Sequence, residues 1–174
     1  MSKKDDGRVG RVFEKRLKEV FDTLKKRLGF DYHRFTDTKA AGRYVGTQPG
    51  DFMISFTSEG GDAKLAQGGA YVIILEVKAS EEKESLRSCA ASHILPAQIG
   101  KHKAWLRSGG YAHFWFYCES TGLVELWDSA HVVAQRSDGK PLLVEKRLAV
   151  FDYLTLEEEL INYFGLTKAN RSTS

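Results

Sequence analysis

The chain has 174 residues, enough for one domain with a substantial core, and its 42% apolar and 28% charged residues are ordinary for a globular protein. A net charge of +3 is too mild to announce a nucleic-acid binder by itself. Cys89 and Cys118 form no CxxC and the five histidines are scattered, which excludes a zinc-ligand motif and argues against a disulfide framework. The longest apolar run, 71–75, is too short to span a bilayer, so no membrane partner is expected. The amino end lacks the apolar stretch of a signal peptide, and the expected compartment is a reducing cytoplasm.

Residues 1–7 (MSKKDDG) are polar and read as a mobile basic tail, with 8–174 as a single domain. From 8 to 28, apolar residues fall at Val9, Phe13, Leu17, Val20, Phe21, Leu24 and Leu28, the spacing of one helical stripe, and Gly29 is a natural stop. This stretch is rich in Lys and Arg, and Arg8, Arg11 and Lys15 are candidates for phosphate contacts; a solvated helix face explains them equally well. A strand-like stretch at 31–35 leads into a polar loop that reaches Pro49-Gly50. Residues 51–56 (DFMISF) read as a strand and 57–69 as a Gly-rich loop or hairpin tip.

The strongest strand signal is 71–80 (YVIILEVKAS). Its near-continuous apolar character predicts a central strand covered on both faces. A charged patch at 81–87 precedes a helix expected from Pro96 to about Arg107, ending at Gly109-Gly110. Strands are expected at 112–118, 123–127 and 149–153, with a short final helix at 156–164. Leu156, Leu160 and Phe164 give that helix an apolar face, for packing within the subunit or for a dimer contact. The order predicts an α/β domain: a central mixed sheet flanked by helices.

Glu76 and Lys78 end a run that otherwise wants burial. Two apart in a strand, they share one face, about 7 Å apart along the chain. Charges placed there are costly without a partner or a metal. Asp51 opens the neighbouring strand after a Pro-Gly turn, and pairing of the two strands would bring it beside Glu76. Two adjacent carboxylates repel, and a hard divalent cation relieves that. Mg2+, with Mn2+ as a substitute, takes one or two carboxylates with water and phosphate completing its shell. Such an ion polarises a phosphodiester and makes a coordinated water more acidic. Lys78 would stabilise charge developing on the phosphate, or take the water's proton after losing its own through desolvation and the nearby cation. A salt bridge at a strand end is the bland alternative. Glu-x-Lys alone carries nothing, since Glu81-Glu82-Lys83 repeats it in a charged loop.

PGDF at 49–52 followed by ILEVKAS at 74–80 resembles the PD-(D/E)xK nuclease superfamily, with its restriction-endonuclease-like fold. ILPAQIGKHKAWLRSGGYAHFWFY at 94–117 is most similar to RecU-type Holliday-junction resolvases, and Phe13-Glu14 resembles the Glu-bearing first helix of resolvases. Together these segments cover roughly residues 8–118. The resemblance implies an endonuclease domain with Asp51 and Glu76 as metal ligands and Lys78 as the catalytic lysine. It also implies that Gln98 positions water or phosphate and that Glu14 completes the carboxylate set. A surface role for Gln98 and a helix-dipole role for Glu14 are the alternatives. The substrate implied is branched DNA, most of all four-way junctions cut in pairs by a twofold homodimer, in a bacterial or phage-infected cell. The sequence departs from the family in its long 51–76 spacing, in Pro-Gly-Asp for Pro-Asp, and in lacking a counterpart of the RecU stalk. The rivals are another PD-(D/E)xK nuclease, of restriction or DNA-processing type, and a non-catalytic DNA-binding protein on the same fold.

Overall fold

A computed structural model describes residues 3–35, 50–59, 68–82, 85–135 and 147–166. The first helix, α1 (Lys3–Arg27), buries Val9, Phe13, Leu17, Val20, Phe21 and Leu24 to 1% exposure or less, so the predicted stripe is the one that meets the sheet. The helix begins inside the segment expected to be a tail: the backbone of residues 3–7 continues it, since nothing in that stretch stops a helix that the stripe has already anchored.

Six strands follow: β1 (Phe30–Arg34), β2 (Phe52–Ser58), β3 (Gly69–Ser80), β4 (Tyr111–Cys118), β5 (Leu123–Asp128) and β6 (Arg147–Asp152). They form one sheet in chain order, every neighbouring pair antiparallel except β3 with β4, which is parallel. A parallel step needs a long crossover, and α2 (Leu86–His93) and α3 (Pro96–Arg107) supply it. The chain ends in α4 (Ser129–Gln135), β6 and α5 (Leu156–Phe164). The expected α/β architecture, a mixed sheet with helices on both faces, is the one observed.

Alternation along the strands divides the interior in two. Ile73, Leu75, Val77 and Ala79 of β3, with Trp115 and Tyr117 of β4, join the larger core beneath α1 and α5. Phe114, Phe116 and Cys118 of β4 and Trp127 of β5 join a smaller core with Leu86, Ala90 and Ile94 around α2, and with Val132 of α4. Leu156, Leu160 and Phe164 are buried in the larger core, so the apolar face of α5 packs on its own sheet. Neither α2 nor α4 was expected. Each is short, and α4 buries only Ser129 and Val132, too few positions to set up a helical period. β2 and β3 run into the expected 57–69 loop at both ends; the rest of that loop, 60–67, and the loop at 36–49 lie outside the described residues. Among the described residues no helix is long and apolar enough to cross a membrane.

Candidate active site

The even-numbered residues at the end of β3 face away from the larger core. Glu76 is 4% exposed there. Lys78 Nζ donates to Glu76 Oε1 at 2.8 Å, with both side chains largely withdrawn from solvent. The first turn of α3 closes over the pair. Gln98 Nε2 donates to the same Glu76 oxygen, while Gln98 Oε1 accepts from the backbone N–H of Leu95 at 2.8 Å. Gln98 is therefore half-buried and held at both ends.

Asp51 lies one residue before β2. Phe52 opposes Leu75 in the antiparallel register, so Asp51 falls opposite Glu76 and on the same side of the sheet. Three hydrogen bonds fix it: Asp51 N–H to Leu75 O at 2.8 Å, Phe35 N–H to Asp51 O at 2.9 Å, and Val77 N–H to Asp51 Oδ2 at 2.7 Å. Burial, reinforced by the charge of Glu76, pushes the Asp51 carboxyl up to about 7; the Val77 N–H and Lys78 pull the other way, and Glu14 adds to the rise. Two carboxylates sharing a confined space, one of them strained towards its neutral form, suit a hard cation with oxygen ligands.

Gly50 explains why the turn reads Pro-Gly-Asp. A Cβ at this position would lie 2.6 Å from Leu75 O, so only glycine lets the chain approach β3 closely enough to lay Asp51 beside Glu76. Gly50→Ala is expected to weaken divalent-cation binding by about tenfold or more, read as a smaller cation-induced rise in melting temperature. An unchanged rise would show that the close approach is not needed.

The other predicted residues are placed less tightly. Glu14 accepts from Arg34 NH2 at 2.5 Å and stands near enough to Asp51 to act on its charge, but it is not drawn in with Asp51 and Glu76. Among the described residues no group of three or more His, Cys, Asp and Glu side chains is arranged to hold a metal ion. Asp51 and Glu76 are the two carboxylates that the strand register brings opposite one another, and one or two carboxylates are the usual protein share of a Mg2+ shell. Arg8 is engaged with Glu119, at 2.5 and 3.1 Å, Lys15 Nζ lies 4.0 Å from Glu19, and Arg11 is exposed. His102, one turn beyond Gln98, is fully buried against Phe114 and cannot reach a phosphate.

Two supports escaped the sequence reading. Glu125 of β5 is 2% exposed; its Oε2 accepts from Ser85 Oγ, Leu86 N–H and Trp127 Nε1, and its Oε1 from Arg147. It ties the start of α2 to the sheet, and α2 leads into the turn that carries Gln98. An acid in LVELW, two residues from Trp127 and so on one face with it, is the signal that could have found it. Arg34, the partner of Glu14, carries no comparable signal.

His102 and His113, which their scattered spacing marked as structural or exposed, are both buried. His102 Nδ1 lies 2.8 Å from Ser129 Oγ, while His102 Nε2 and His113 Nδ1 have no partner among the described residues. Burial lowers both imidazoles to about 4 from 6.5. Their folded values are depressed, so their contribution is intact above pH 6.5 and is lost as pH falls towards 4, at most about 3 kcal/mol each. Asp51, with a raised value, acts in the opposite direction over the same range. In the Asp51→Asn protein, urea unfolding is therefore expected to show stability falling by several kcal/mol between pH 6.5 and 4.5. A flat profile there would contradict the burial of neutral histidines.

Neither the protein families nor the curated proteins contain a match to this sequence. Among solved structures the chain is similar to Hjc, a Holliday junction resolvase from the archaeal hyperthermophile Archaeoglobus fulgidus. The identity is 12% and the TM-score 0.44, over 76% of this chain and 88% of that one.

Proposed function

We propose that this chain is a metal-dependent endonuclease of the PD-(D/E)xK type that hydrolyses DNA phosphodiester bonds, with four-way junctions as its substrate and a twofold homodimer making paired symmetric cuts. The observation that carries the reading is the Val77 N–H bond to Asp51, which holds that carboxylate opposite Glu76 with the Lys78 amine 2.8 Å from the latter. The topology supports it as well. Three antiparallel strands carry Asp before β2 and Glu-x-Lys on β3, and a helical crossover then leads to a parallel β4.

Asp51 and Glu76 would hold Mg2+, or Mn2+ in its place. When bound, the ion supplies positive charge at the scissile phosphate and a more acidic water. Lys78 places an ammonium where negative charge grows on the phosphate oxygens. Gln98 fixes the Glu76 carboxylate so that one oxygen stays occupied by donors and the other is available to the site. Glu14 stands behind Asp51 as a further carboxylate, turned at present towards Arg34.

The test is cleavage of a synthetic four-way junction and of a linear duplex of the same sequence, with and without Mg2+. Paired cuts confined to the junction and dependent on Mg2+ are expected. Equal cutting of both substrates points to another nuclease on this fold, and no metal-dependent cutting at all points to a non-catalytic DNA-binding protein.

A further inference from the structure

The carboxylate pair is bounded on two sides by apolar side chains that belong to neither core. On the β1 side the neighbour is Phe35. Arg34 opposes Phe52 in the antiparallel register, so Phe35 opposes Asp51, which in turn opposes Glu76. The bond from Phe35 N–H to Asp51 O, at 2.9 Å, fixes that placement. Alternation turns Phe35 to the face of the two carboxylates, while Arg34 turns to the other face and meets Glu14. Directly opposed side chains start about 5 Å apart. Phe35 is half-buried, and its ring meets the exposed His33 edge-on, with centroids 4.9 Å apart.

On the α3 side the neighbour is Leu95, which is 58% exposed. It occupies the N-cap of α3 with φ −78° and ψ 148° and makes no side-chain cap bond. Ser, Thr, Asp and Asn are preferred there, and an apolar residue forgoes about 1 kcal/mol. At about 100° per residue, Leu95, Gln98 and His102 lie within about 60° of one another around the helix. His102 is fully buried on that side and Gln98 rests on Glu76, yet Leu95 is open. This end of α3 therefore overhangs the carboxylates instead of packing on the sheet. Gln98 also ties it to them: its Oε1 accepts from Leu95 N–H at 2.8 Å while its Nε2 donates to Glu76. Pro96 and Ala97, both exposed, extend the apolar tip.

A continuous duplex has little use for such surfaces, since it presents sugar and phosphate outwards and keeps its base faces stacked. Aromatic rings accept any base face that has left the stack, and apolar wedges occupy the gap between separated steps. Taking a base out costs a few kcal/mol in intact duplex and least where pairing is already broken.

We propose that Phe35 and Leu95 form a clamp for a base released from the stack beside the scissile phosphate. Phe35, backed by His33, takes the face of the base, and Leu95 fills the gap left behind. The clamp selects DNA whose stacking is interrupted, as at a branch point, over continuous duplex. The proposal rests on the nuclease reading for the identity of its ligand.

The experiment uses the full-length Asp51→Asn protein, alone, with Leu95→Gln, and with Leu95→Gln and Phe35→Leu combined. Binding is measured to a four-way junction and to a linear duplex of the same sequence. The junction carries 2-aminopurine at the branch point on each strand in turn. The combined change should weaken junction binding by about tenfold or more and duplex binding by less than about twofold. Leu95→Gln alone should weaken junction binding by about threefold or more. Leu95 lies outside both cores, so its circular dichroism melt should match the parent's. Fluorescence of 2-aminopurine on at least one strand should rise when the parent binds and stay low with the combined variant. Equal weakening on both DNAs, no weakening on the junction, or a parent that binds duplex as tightly as junction overturns the clamp. If wild type cuts junctions with Mg2+ while these substitutions change nothing, only the clamp fails. If wild type never cuts yet the junction preference falls as stated, the clamp stands and the nuclease reading fails.

Discussion

Asp51→Asn should abolish metal-dependent cleavage, by a factor of about a thousand or more, while making the metal-free protein more stable at pH 8. The two effects share one cause. Burial and Glu76 raise the Asp51 carboxyl to about 7. A folded value raised above the unfolded one gives a contribution that is present below about pH 4 and lost as pH rises through 7. At pH 8 the ionised carboxylate is therefore a cost, of the order of 3 kcal/mol after allowing for its partial exposure. Asparagine removes the charge and keeps an oxygen for the Val77 N–H, the bond that positions this residue at 2.7 Å. For a chain of this size the gain corresponds to roughly 6–12 °C in melting temperature. Mg2+ should raise the melting temperature of wild type and leave the variant unmoved. A variant no more stable than wild type at pH 8, or still stabilised by Mg2+, would contradict this account of the site.

The mirror-image substitution has the opposite sign. Lys78→Met preserves the length of the side chain and removes the cation that sits 2.8 Å from Glu76, whose side chain is only 5% exposed. Breaking one partner out of a buried pair costs about 3–5 kcal/mol, because the remaining charge is left uncompensated. Gln98 still donates to Glu76, which keeps the loss towards the lower end of that range. Cleavage should fall by at least about a hundredfold, since the charge growing on the phosphate loses its ammonium. Mg2+ should restore much of the stability and none of the activity, which thermal melts and single-turnover cleavage read separately. A Lys78→Met protein as stable as wild type without metal would mean that the amine does not neutralise Glu76.

The carboxylate pair was legible in the sequence because two strong local patterns fix it. An apolar run interrupted only at Glu76 and Lys78 reads as a central strand with those two on one face, and its pairing with the strand that Asp51 opens brings a second carboxylate beside Glu76. Phe52 is fully buried opposite Leu75, and Asp51 follows from that register. Pro96 and Gly109 bracket α3, but Gln98 was singled out only by the family resemblance of 94–117, since no local pattern says which polar residue of that helix meets β3. What stayed hidden depends on contacts between distant segments. Arg34 and Glu14 are twenty residues apart on different elements, and each is ordinary in its own context. The short helices α2 and α4 owe their form to tertiary anchors, Glu125 at the start of the first and Ser129 against His102 in the second. The engagement of the α1 cations was equally invisible, because Glu119 and Glu157 reach that helix from far along the chain.

Whether residues 51 and 76 share one ion is read most directly by electron paramagnetic resonance of Mn2+ titrated into the wild-type, Asp51→Asn and Glu76→Gln proteins. A single tight site per chain, absent from both variants, is the expected outcome. Tight binding that survives either substitution, or a wild-type protein that takes up no Mn2+, would show that these carboxylates do not act together on a cation.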